Sequence, residues 1–311
     1  MKQFFKFQNL VLLAILGVLS FAVGRFIHFD KKISELARPA KLFAISNVQS
    51  NFPNDPRWDV KLSDERDTFF YVVSQQQFNW LGRGAQAVVF ESQDGRYVLK
   101  LFQLGRLRSV QKPRPFWKRW FSKEEASQQQ RRIDHREEIF SSSKLCFEEV
   151  PEETGIVYVH LNRTRNKIKG VKLVDRFGQS HRIRGDDACF VLQKKAVYLI
   201  PTITKLMDDG EIDQAQERVD QVIDLLLTMA QKGFTDNDDA LIRNNNLGFT
   251  HDRAVYIDTG HLSKNPDLNV LSRMNYEFDV RLYPFEMWLN QTYPELADHY
   301  RTKRDEVLAS L

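Results

Sequence analysis

Two short stretches of this chain carry residue types suited to handling phosphate. In Leu81-Gly82-Arg83-Gly84-Ala85-Gln86-Ala87-Val88-Val89-Phe90 the glycines Gly82 and Gly84 let backbone N–H groups approach phosphate oxygens, and Val89 can cover a flat base. Lys100 follows inside the apolar run Tyr97-Val98-Leu99-Lys100-Leu101-Phe102, where its ammonium can pair with phosphates while Leu99 and Leu101 face a core. A plain hairpin turn and a lysine reaching solvent are the competing readings. Later, Asp236-Asn237-Asp238-Asp239, Asn244-Asn245-Asn246 and Asp258-Thr259-Gly260 gather carboxylates and amides within a short span. Their plain alternative is a solvated, Asn-rich turn between a helix and a hairpin.

The elements that must position these residues are read from pattern. Phe69 to Val73 and Phe78 to Trp80 have strand-type composition. Ala87 to Glu91 and Arg96 to Phe102 form a hairpin turning at Gln93-Asp94-Gly95. Ser122 to Phe147 reads as a helix with sparse apolar positions at Ile133, Phe140 and Leu145. Gly155 to Leu161, Val171 to Asp175, His181 to Arg184 and Cys189 to Gln193 read as strands. Beyond Pro201 the pattern turns helical, and Val219, Val222, Ile223, Leu225, Leu226, Leu227 and Met229 fill one broad face. Strands first and helices afterwards predict an α+β fold of two unequal lobes. The expected division is a segment over residues 1–25, a linker over 26–57, a strand-rich lobe over 58–195 and a helical lobe over 196–311.

The order of these motifs resembles the protein-kinase-like superfamily. Lys232-Gly233-Phe234-Thr235-Asp236-Asn237-Asp238 falls where that superfamily has its H-R-D loop, Asn246-Leu247-Gly248-Phe249 resembles its asparagine leading into a strand, and Ile257-Asp258-Thr259-Gly260 resembles the stretch around D-F-G. The resemblance implies a bilobal fold with ATP and Mg2+ as cofactors. It implies Asp238 as the base that accepts a hydroxyl proton and Asn246, or Asn244, with Asp258 as magnesium ligands. Lys100 would pair the phosphates with a carboxylate partner on the following helix, Glu137 or Glu138. The chain departs from the pattern in several places. Ala87 stands at the third glycine, neither His nor Arg precedes Asp238, Asp239 with Asn244 would restore the usual spacing, and no A-P-E follows Gly260. A small phosphotransferase with an unidentified hydroxyl acceptor is therefore expected, with a catalytically silent pseudokinase binding module as the alternative.

Composition narrows the remaining classes. The chain of 311 residues can bury a sizeable core, its net charge of +4 is modest, and Cys146 and Cys189 give no disulfide framework. No histidine or cysteine spacing suits zinc, so any metal should be magnesium held by nucleotide and carboxylate. Leu10 to Val23 is uncharged and apolar between Lys6 and Arg25. It reads as a membrane anchor slightly short of the usual span of about 17 to 25 residues, with a cleaved signal peptide as its rival. An anchored ATP-using domain would face the cytoplasm. Arg106 to Lys123 mixes Arg and Lys with Phe116, Trp117, Trp120 and Phe121, a composition that suits an anionic bilayer. A solvated basic loop is the plain alternative, and nucleic acid is the less favoured partner because no RNA-binding motif accompanies the stretch.

Overall fold

The computed structural model describes residues 45–50, 52–104, 122–168, 170–236, 241–242 and 245–311, all within one unit, Ile45–Leu311. The apolar run at 10–23, the basic aromatic stretch at 106–121 and Asp238, Asp239 and Asn244 lie outside these residues. Among the described residues, no helix is long and apolar enough to cross a membrane.

In chain order the elements are α1 (Asp64–Ser74), β1 (Gln77–Arg83), β2 (Ala87–Ser92), β3 (Tyr97–Phe102), α2 (Ser122–Glu149), α3 (Pro151–Thr154), β4 (Ile156–His160), β5 (Gly170–Val174), β6 (Ser180–Arg184) and β7 (Phe190–Lys194). They are followed by β8 (Val197–Tyr198), α4 (Leu199–Asp208), α5 (Ile212–Gln231), β9 (Phe234–Asp236), β10 (Leu247–Phe249), β11 (Ala254–Tyr256), β12 (Leu262–Lys264), α6 (Val270–Tyr276), a π-helical turn (Glu277–Arg281), α7 (Tyr283–Thr292) and α8 (Pro294–Ala309). The fold is α+β. A mixed sheet in the order β4-β7-β3-β2-β1-β5-β6 precedes a helical half that carries the two small sheets β11-β10-β8 and β12-β9. The β5–β6 hairpin extends the sheet through a parallel pairing of β5 with β1.

Alternation along β3 decides which side chains face which layer. Leu99 and Leu101 lie opposite Leu192 and Phe190 of β7, while Val98 and Lys100 lie opposite Gln193 and Val191. The first face packs on α1, where Phe70 stacks on Tyr158 at 4.2 Å and on Phe190 at 5.2 Å between ring centroids. The second face receives α2, whose Phe140 meets Phe102 at 5.5 Å and Trp58 at 5.6 Å. In the helical half, Val219, Val222, Ile223, Leu225, Leu226 and Met229 of α5 are buried, and Leu227 is partly so.

One expectation is corrected here. Phe69 to Val73 is helix, not strand: Ser63 caps it by accepting from the Arg66 N–H at 3.3 Å, and Asp64, Glu65 and Asp67 occupy the first turn, where the helix dipole favours acids. These start signals, with burial of Phe70 and Val73 on the sheet, outweigh the β propensity of aromatic and branched residues. Ahead of Trp58, Val48 is fully buried, Ser50 donates its N–H to Asp187 O, and Asn54 Nδ2 donates to Arg163 O at 2.9 Å.

Candidate functional site

A cavity of about 560 Å³ opens where the large sheet meets the helical half. Gly82, Gly84, Val89, Lys100, Asn246 and Asp258, singled out in the sequence, all line it. Asp238, the expected base, lies outside the described residues, two positions beyond the end of β9.

The glycine turn between β1 and β2 is built differently from a free run of N–H groups. The N–H of Gly84 donates to Ala87 O at 2.9 Å, inside the turn. At Gly82 a Cβ would meet nothing within 4 Å, so the space beside the backbone there is open. The turn is held from beneath by Gln103, which is 1 % exposed. Its Nε2 donates to Gly84 O at 2.8 Å, and its Oε1 accepts from Arg83 Nε at 2.8 Å. One buried carboxamide thus holds two consecutive residues of the loop, because it can donate and accept at once.

Lys100 reaches across the cavity from β3, half-buried, and donates from Nζ to Ile257 O at 2.5 Å. Burial pushes its pKa below the usual lysine value, and the nearby Asp258 carboxylate opposes that shift. Neither expected carboxylate partner from α2 meets it. Glu137 accepts from Arg57 at 3.0 Å, and Glu138 accepts from His261 Nδ1 at 3.2 Å. Both glutamates are engaged by other partners, and Asp258 is the acid whose charge Lys100 feels.

Asp258 follows β11 as an exposed residue and accepts from the Gly260 N–H at 3.1 Å, which bends the chain into the next turn. Asn246, buried at 5 % exposure, is tied to the same segment, since its carbonyl accepts from the Ile257 N–H at 2.7 Å. A Cβ at Gly260 would fall 2.4 Å from Gln86 Oε1, so the Gln86 side chain sits directly against this glycine. Gln86 Nε2 donates to His261 Nε2 at 3.3 Å, which leaves the ring proton on Nδ1 facing Glu138. Ser142 of α2 donates to Thr259 O, so helix, glycine turn and acidic segment are joined by hydrogen bonds at the mouth of the cavity.

Asp236, the first residue of the acidic cluster, is structural. It is 5 % exposed and accepts from Arg281 at 2.5 Å, beside the Arg281–Glu277 pair at 2.7 Å. Sequence reading also missed Gln86, Gln103, Gln193 and His261. Isolated glutamines are ordinarily surface residues, and nothing in their local pattern marks them as buried.

The donor set fits a nucleotide with magnesium. The cavity volume lies within the range of about 300 to 1,000 Å³ typical of ligand sites. Asp258 and Asn246 offer hard oxygen donors, and among the described residues no group of three or more His, Cys, Asp or Glu could hold a metal alone. Magnesium ordinarily takes one or two protein carboxylates and completes its shell from phosphates and water, which suits so sparse a set.

No family model and no curated protein matches the chain. Among solved structures it is similar to the bifunctional kinase-methyltransferase WbdD at 15% identity and a TM-score of 0.35, covering 73% of this chain and 46% of that one. A structure of monomeric WbdD gives the same identity and TM-score, with 71% and 48% covered. The chain spans about half the length of the structures it matches, and the chemistry of the site rests on its own residues.

Proposed function

We propose that the cavity binds a nucleoside triphosphate with magnesium and that the chain is a kinase-like phosphotransferase acting on a hydroxyl acceptor. The observation that carries this reading is convergence: the glycine turn, Lys100, Asn246 and Asp258 come from separate parts of the chain and line one cavity. Lys100 would exchange its backbone carbonyl for phosphate oxygens, a charge-assisted contact stronger than the one it makes now. Asp258, with Asn246, would hold the metal against those phosphates. The bound nucleotide and magnesium supply the phosphoryl group and neutralise its charge, while this chain's residues orient it and exclude water. Asp238 is proposed as the group that takes the acceptor's proton, since Asp236 is committed to Arg281.

One observation favours the second reading, a catalytically silent binding module. Glu137 and Glu138 pair with Arg57 and His261 while Lys100 rests on a carbonyl, so this arrangement lacks the helix carboxylate that would orient the lysine. Calorimetric titration of ATP with and without magnesium, followed by a turnover assay, separates the possibilities. Magnesium-dependent binding with turnover supports the phosphotransferase, and binding without turnover supports the silent module. Absence of binding overturns both. Asp238→Asn should retain binding and stop transfer. The membrane anchor over residues 10–23 belongs to this proposal on sequence grounds alone, and carbonate extraction of membranes carrying the full chain tests it: release into the supernatant would exclude a spanning segment.

A further inference from the structure

The inner wall of the cavity carries a side chain that phosphate chemistry does not use. Gln193 of β7 is 2 % exposed, lines the cavity, and lies opposite Val98 on the same sheet face as Lys100. Its Nε2 donates to Thr154 O at 2.5 Å, to Tyr256 O at 3.0 Å and to Ile257 O at 3.3 Å. All three neighbours are carbonyl oxygens, so the amide has one tolerable orientation. Reversing it would aim Oε1 at three acceptors. The two N–H groups are therefore spent on the wall, and Oε1 is the end left for an occupant.

The surroundings say what kind of occupant it reads. Val89, Val98 and Val191 line the same cavity and give apolar faces against which a flat ring can lie. Lys100 and Asp258 mark the phosphate end, and Val98 with Gln193 lies two pairs further along the β3–β7 ladder, on the same face. A buried acceptor fixed beside a ring edge favours an amine there, is indifferent to a hydrogen, and repels a carbonyl, because an unmatched buried polar group keeps its full desolvation cost.

We propose that Gln193 sets base specificity, selecting a purine with a 6-amino group against one with a 6-oxo group. The inference rests on the nucleotide reading above and deepens it. Its test uses the full chain with magnesium and three triphosphates: ATP with the amine, purine riboside triphosphate with hydrogen at that position, and inosine triphosphate with the carbonyl. Binding should weaken in that order, by about tenfold at the first step and about a hundredfold overall. Gln193→Met and Gln193→Ser remove the fixed acceptor, and whichever is folded by circular dichroism should compress the ATP to inosine triphosphate ratio to within about threefold. Equal binding of the three nucleotides by the parent overturns the assignment while leaving the nucleotide site standing. Retention of the parental ratio by a folded variant does the same. No binding of any triphosphate removes the site itself. Should neither variant fold, the order of the three nucleotides on the parent decides.

Discussion

Lys100 and Arg281 are both cations taken out of water, yet they have opposite surroundings. Arg281 is fully buried between Asp236 and Glu277, with Tyr256 OH at 3.5 Å. Burial acts to neutralise it, but the fields of Tyr256, Glu277 and Asp236 outweigh that effect and hold its pKa above the usual arginine value. Lys100 is less buried, has one neutral carbonyl as its hydrogen-bond acceptor, and is pushed below the usual lysine value by desolvation against the single field of Asp258. A cation enclosed by carboxylates joins elements together. A cation left on a carbonyl at a cavity wall gains from an anionic ligand, which is the physical reason to place function at Lys100 and structure at Arg281.

The comparison breaks most directly at Arg281. Arg281→Met leaves Asp236 and Glu277 buried without the guanidinium, so the protein should lose about 3–5 kcal/mol. That loss should lower the thermal midpoint by on the order of 10 °C. A change no larger than that of a surface substitution would mean the cluster contributes nothing to joining β9, β11 and the π-helical turn. Asp258→Asn should move in the other column: magnesium-dependent nucleotide affinity falls by about two orders of magnitude, while the midpoint stays within a few degrees because the residue is exposed. Equal loss of fold and binding would make Asp258 structural. Lys100→Met should weaken ATP binding about tenfold or somewhat more, the size expected for a charged hydrogen bond to phosphate, and should leave the empty protein as stable as the parent or more so. A marked fall in midpoint would put Lys100 in the same class as Arg281.

The smallest effect lies in pH. The folded pKa of Lys100 is below the ordinary 10.5, so the unfolded chain binds more protons than the folded one in the window between them. Stability therefore carries the full penalty of burying this charge below the folded value and recovers as pH rises toward 10.5. The stability advantage of Lys100→Met over the parent should shrink across that window, measured by urea unfolding at neutral and alkaline pH. Burial also pushes the Cys146 and Cys189 thiols up to about 12, which erodes stability above pH 9 as unfolded thiols ionise. That loss is common to both proteins and cancels in the difference.

Local chemistry made a large part of this molecule readable. The turn at Gly95, the alternation along β2 and β3, the long helix from Ser122 and the apolar face of α5 are each fixed by neighbours within a few positions, through backbone sterics and the two periods of side-chain direction. Gly82, Gly84, Lys100 and Asp258 were visible because their types at those places are chemically unusual in apolar or turn surroundings. The strand expected at Phe69 to Val73 failed because helix capping at Ser63 and packing of one face on the sheet override intrinsic preference. Asp236 looked like its neighbours until the fold set Arg281, far along the chain, against it. The same holds for the carboxamides: Gln103 and Gln193 acquire roles only through carbonyls contributed by distant segments. Sequence alone thus determined most of the elements and marked the residues proposed to meet phosphate. Tertiary structure decided which charges are matched, which glutamines are buried and which end of an amide faces the cavity, since these depend on contacts between positions that no local pattern relates.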